Sequence, residues 1–130
     1  MRIAVLSPIH WRTPPRRYGP WEWVASLLTE ELVRRGHEVT LFATGDSQTS
    51  ARLRWVCPFP FFEPEGQQLE RKPYEYLHSA LPFESAGEFD IIHNHYNVYP
   101  LVFSPFVLTP VVTTVEGFSS PGVADFMRRY

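Results

Sequence analysis

The chain opens on four consecutive apolar residues, Ile3-Ala4-Val5-Leu6, closed by Ser7-Pro8. A short continuous run of this kind predicts a strand buried on both faces of a parallel sheet. A loop rich in proline and arginine follows, and Pro20 then stands where a first helical residue does not need its N–H. From Trp21 the spacing turns helical. Trp21, Val24, Leu28 and Leu32 share one side with Leu27 beside them, which predicts that this stripe faces the core. Glu22 comes early and Arg34 and Arg35 late, as the helix dipole prefers, and Gly36 fits the position just past the end. Val39 to Ala43 reads as a second strand, completing a strand–helix–strand unit.

Weaker signals continue the alternation. Leu53 to Cys57 predicts a third strand, and Phe59 to Gly66, with its prolines, an irregular surface excursion. Gln68 to Leu81 has helical spacing, kinked or restarted at Pro73. Asp90 to His95 predicts a fourth strand, Leu101 to Leu108 a short helical stretch, and the β-branched run Val111 to Val115 a fifth strand. Val123 to Tyr130 starts one more helix. The whole reads as an α/β chain: one Rossmann-like domain over residues 1–130, an open, mostly parallel sheet with helices on both faces. Sheets of this type bind ligands beyond the carboxyl ends of their strands, where the strand order reverses. That rule singles out three loops, Ser7 to Trp21, His93 to Tyr99 and Thr114 to Ser120.

Composition narrows the function classes. With 44% hydrophobic and 15% aromatic residues, the 130-residue chain is neither disordered nor fibrous. A net charge of -2 leaves no polybasic footprint for nucleic acid. The single Cys57 has no cysteine partner for a disulfide or a zinc site. No run approaches the length of a membrane span, so a cytoplasmic protein is expected.

Three segments, in order, resemble the amino-terminal domain of family 4 glycosyltransferases, retaining enzymes of the GT-B architecture. Tyr18-Gly19-Pro20-Trp21-Glu22 is similar to the family's Gly-Gly-x-Glu loop at the start of the first helix. Leu32 to Leu41, through Arg35-Gly36-His37, is similar to its helix-to-strand turn. Phe89 to His95, followed by Thr109 to Gly117, is similar to its fourth and fifth strands. The resemblance implies transfer of a sugar from a nucleotide-sugar donor to a carbohydrate or other hydroxyl acceptor. It implies no metal and no cofactor beyond that co-substrate, which a carboxy-terminal domain would mostly bind. That domain is not among these residues. The expected partner is therefore a separate donor-binding half, or a second copy through self-association.

Carried onto this chain, the resemblance makes Gly19, Pro20 and Glu22 the donor-phosphate loop, because backbone N–H groups at a helix start can cradle a diphosphate. It places His93, His95, Tyr96 and Gly117 in the acceptor cleft, and His95 and Glu116 as candidate catalytic residues. His93 and His95 stand two apart on a strand and share a face, yet no third metal ligand accompanies them. Each position also has a plain alternative: a loop glycine, an acid suited to a helix start, a structural histidine. Trp11, Tyr18, Trp21 and Trp23 can stack on a sugar ring or serve as core. Two departures from the family pattern stand out. Pro20 replaces the second glycine and has no N–H to offer. Glu116 stands where a histidine is usual, and an ionised carboxylate accepts hydrogen bonds but donates none. These departures keep open a non-catalytic module that binds or oligomerises. A free-standing nucleotide binder is a third reading, but the first loop lacks the G-x-G-x-x-G fingerprint.

Overall fold

The structure is a computed structural model that describes residues 1–117 and 119–130. Five strands, β1 (Arg2–Leu6), β2 (Glu38–Phe42), β3 (Arg52–Arg54), β4 (Ile91–Asn94) and β5 (Val111–Thr113), form one sheet. All pairings are parallel, in the order β3-β2-β1-β4-β5. This is the Rossmann-like α/β arrangement that alternating strands and helices predict. The order reverses at β1, which lies between β2 and β4.

Strand alternation divides the core in two. Ile3, Val5, Val39 and Leu41 point to the face covered by helix α1 (Pro20–Arg34), together with Ala25. Ala4, Leu6, Phe42 and Ile92 point to the opposite face, where Phe83 of helix α2 (Arg71–Glu84) and Phe61, Phe89 and Tyr96 pack. A strand buried on both sides has no room for a polar alternation, which is why β1 is apolar at every position after Arg2. A third helix, α3 (Pro121–Arg129), is capped by Ser120, whose Oγ accepts from the Val123 N–H at 3.3 Å, and none of its residues is buried.

Several boundaries differ from the sequence reading. β3 is shorter and earlier than Leu53 to Cys57, and β5 ends at Thr113. The stretch expected to be helical near Leu101 is a 3-10 segment, Tyr99–Phe106, with Pro105 inside it. Pro73 sits in the first turn of α2, where its missing N–H costs nothing, and no kink is needed.

The buried face of α1 is a correction. Of the stripe of Trp21, Val24, Leu28 and Leu32, Leu32 packs half-buried on the sheet-facing core, while the buried positions of α1 are Glu22, Ala25, Ser26 and Thr29. Trp23, Val24 and Leu27 are exposed, Leu27 at 56%. The reason is steric and polar together. Small side chains let the helix lie close on the strands, and the Thr29 hydroxyl satisfies itself on the Ala25 carbonyl at 2.7 Å, so it is buried without an orphaned group. Counting only large apolar residues misplaces the stripe at Val24 and Leu27, which are exposed.

The loop after β1 is tied to both neighbours. The hydroxyls of Ser7 and Thr13 share a hydrogen bond at 2.8 Å, and the Thr13 N–H donates to Ser47 Oγ at 3.0 Å. The N–H groups of Phe61 and Phe62 donate to the carbonyls of Ile9 and His10, at 3.2 and 3.0 Å. The loop returns to α1 through Gly19 at φ 143°, a conformation that favours glycine. A Cβ there would stand 2.8 Å from Pro15 Cβ and 3.1 Å from Trp11 Cβ, so glycine is also required for space.

Candidate functional site

Beyond the carboxyl ends of β1 and β4, at the strand-order reversal, lies a pocket of about 700 Å³. The loop after β1 supplies His10 and Trp11, the start of α1 supplies Trp21 and Glu22, and the loop after β5 supplies Glu116 and Gly117. Phe62, Tyr18 and Pro20 complete the apolar wall, and Asn97 closes the β4 side. Trp11 and Phe62 pack edge to face with centroids 5.5 Å apart, and His10 stacks on Phe62 at 5.2 Å. Trp21 Cζ2 lies 3.3 Å from the position a Cβ on Gly117 would take, so this glycine admits the indole to the wall.

Two carboxyl groups face this apolar surface. Glu22 stands in the first turn of α1, 2% exposed, and accepts from the Trp11 N–H at 3.1 Å. Burial pushes its carboxyl up to about 7, against the backbone N–H groups of Glu22 itself, Trp11 and His10; the Glu116 charge pushes in the same direction as burial. The Glu22 side chain is thus turned back onto its own helix start. Pro20 heads that helix without an N–H, and the Trp23 N–H is bonded to the Gly19 carbonyl at 2.9 Å.

Glu116 is raised to about 7 by burial, with its side chain 9% exposed. Its Oε1 is hydrogen-bonded to Nδ1 of His95, whose imidazole is lowered to about 4 by burial. Both shifts favour the neutral form, so the Glu116 carboxyl donates to Nδ1 while it is protonated, and the neutral ring can donate Nδ1–H to it once it ionises. Oε2 of Glu116 and Nε2 of His95 are buried without a partner. Behind His95, the His93 ring stacks at 4.4 Å and its Nε2 is hydrogen-bonded to the Thr114 hydroxyl at 2.8 Å. Burial, reinforced by His95, lowers His93 to about 4 as well.

An asparagine turn sets the depth of this side. The Tyr96 N–H donates to Asn94 Oδ1 at 2.8 Å, and Asn94 Nδ2 donates to the Asn97 carbonyl at 2.6 Å, leaving Asn97 at φ 57°. The Thr114 N–H, bonded to the Asn94 carbonyl at 2.9 Å, holds the Glu116 loop beside it.

The sequence-derived candidates therefore fall into layers. Pro20, Glu22, Glu116 and Gly117 line the pocket, while Gly19 and Pro20 also border a smaller groove with Arg16 and Arg17. His95 sits one layer behind Glu116, and His93 one layer behind His95. Tyr96 belongs to the core, edge-on to His78 and His10. His10, Phe62 and Asn97 were not singled out by the sequence. Of these, only Asn97 had a local cue, since asparagine tolerates positive φ near a strand end. His78, which also gave no signal, is fully buried with Nε2 bonded to the Ser7 carbonyl at 2.7 Å. Among the described residues, no group of three or more His, Cys, Asp or Glu side chains is placed to hold a metal ion. Also among them, no helix is long and apolar enough to cross a membrane.

The arrangement suits a hydroxylated ligand: aromatic faces for a ring, and carboxyl groups able to exchange a proton near neutral pH. No curated protein matches the chain. A protein-family model described as Glycosyltransferase Family 4 matches residues 21–129, from the first turn of α1 through α3. That span is most of the chain and includes Glu22, His95 and Glu116, so the chain belongs to glycosyltransferase family 4.

Proposed function

We propose that these 130 residues act as the acceptor-side unit of a retaining glycosyltransferase that takes its sugar from a nucleotide-sugar donor. The observation that carries the reading is the convergence of Glu22 and Glu116 on one aromatic-walled pocket at the strand-order reversal of a family 4 chain. In this reading Trp11 and Trp21 stack on the acceptor ring. Glu116, oriented by His95 as a positioning residue, accepts the hydrogen bond of the attacking hydroxyl. The donor phosphates lie toward Gly19 and the groove bearing Arg16 and Arg17, away from the two carboxyl groups. A donor-binding half outside these residues completes the reaction, and the unit is inactive without it. Apolar side chains left exposed at and around the β5 edge, Phe106, Leu108, Val112 and Val115, support contact with such a half or with a second copy.

A binding module without transfer is the second reading. It draws on Pro20, which offers the diphosphate no N–H, and on the Glu22 carboxyl already folded against the helix start. Nuclear magnetic resonance on the 130-residue protein separates these. Free mono- and disaccharides are expected to shift the indole N–H signals of Trp11 and Trp21, while nucleoside diphosphates leave both in place. Shifts produced by nucleoside diphosphates instead, or by neither class, overturn the acceptor reading.

A further inference from the structure

The pocket has an unusual balance of polar groups. Its two charged side chains are both acids, and no lysine or arginine lines it. His10, the remaining titratable ring in the wall, is held toward its neutral form by burial. The Glu116 side chain is more than nine-tenths buried, and its Oε2 accepts from nothing in the protein. Asn97, another residue of this wall, likewise has its Oδ1 buried and unpartnered. Both are acceptors. A buried acceptor without a donor is costly, so a ligand that donates hydrogen bonds to this wall is favoured. The surrounding faces are Trp11, Tyr18, Trp21 and Phe62, surfaces whose π-clouds attract cations.

We propose that this pocket takes an amine-bearing polyol, a protonated amino sugar or aminocyclitol, whose ammonium group is held by the Glu116 and Glu22 carboxylates against the aromatic wall. The inference rests on the acceptor reading and names its substrate class. A primary ammonium has three donors and no acceptor, which suits a wall whose two charged side chains are both carboxyl groups better than a hydroxyl does. Its charge compensates carboxylates that have lost their water, and in doing so drives off the protons that burial otherwise keeps on them. The sugar hydroxyls remain for the rim. A diphosphate in the same place would meet two acids and no base.

The test is a matched pair on the wild-type protein, by calorimetry at about pH 7.5, where a primary amine is charged. The probes are 6-amino-6-deoxyglucose and glucose, which differ by one ammonium in place of one hydroxyl. The amine is expected to bind roughly tenfold more tightly or better, the gain of one charge-assisted hydrogen bond over a neutral one. In Glu116→Gln, which keeps shape and loses charge, the ratio of the two affinities falls several-fold. Equal binding of the two probes to the wild type overturns the amine inference and leaves the acceptor reading standing. Binding of neither removes both.

Discussion

Glu116 lines the pocket, and one of its carboxyl oxygens is hydrogen-bonded to Nδ1 of a fully enclosed His95. The histidine therefore does not touch the pocket. It sets the carboxyl's orientation through that hydrogen bond. In the family pattern a histidine is usual where Glu116 stands; here the imidazole has an acid in front of it.

Breaking this pair from its two sides has unequal consequences. His95→Ala removes a buried ring stacked on His93 and leaves Glu116 Oε1 without its partner. The expected loss is about 2–4 kcal/mol of folding stability, in the range of large-to-small core changes with an orphaned polar group. Glu116→Gln retains an oxygen that can accept from Nδ1–H, and is expected to stay within about 1 kcal/mol of wild type. Urea denaturation of the two variants measures both. Equal losses would mean that the ring packing contributes nothing.

Glu22 makes stability depend on pH in a stated direction. Its carboxyl rises from 4.5 to about 7 on folding, so the folded state binds the proton more tightly than the unfolded chain. The stabilisation this confers is complete below pH 4.5 and is lost as pH rises through about 7. Glu22→Gln cannot ionise, and its oxygen can still accept from the Trp11 N–H. The stability of the variant relative to wild type is expected to climb between pH 5 and pH 8, by up to about 3 kcal/mol. Denaturation midpoints across that range check the slope; a flat difference would place the Glu22 carboxyl at its ordinary value.

The face on which α1 packs is testable by two substitutions two residues apart. Ala25 is fully buried between helix and sheet, and Ala25→Leu forces extra volume into that contact, at an expected cost of about 1–3 kcal/mol. Leu27 lies on the outer side, and Leu27→Glu is expected to change stability by no more than about 0.5 kcal/mol. Thermal unfolding of both variants suffices. The opposite order would restore the stripe of large apolar residues as the buried one.

What the sequence determined by itself was the alternation of elements and, through it, the sheet. Four apolar residues in a row at Ile3 to Leu6 can only be satisfied by cover on both faces, and a helix between two such runs forces a parallel crossover. The loop that leads into Glu22 and the loop that carries Glu116 were legible for the same reason, since the carboxyl ends of parallel strands fall at predictable places in the chain. The tertiary structure alone decided which side chains meet. α1 turned its small residues inward because a close helix–sheet approach and a self-satisfied Thr29 outweigh the burial of Leu27 and Val24, a balance set by the sheet surface and invisible in periodicity. His95 went behind Glu116, and Tyr96 into the core, because the Asn94 turn fixes the chain's direction after β4. His10 and Phe62 joined the pocket through backbone hydrogen bonds between segments more than fifty residues apart. Such contacts depend on the distance between chain segments in space, and local composition carries no record of it.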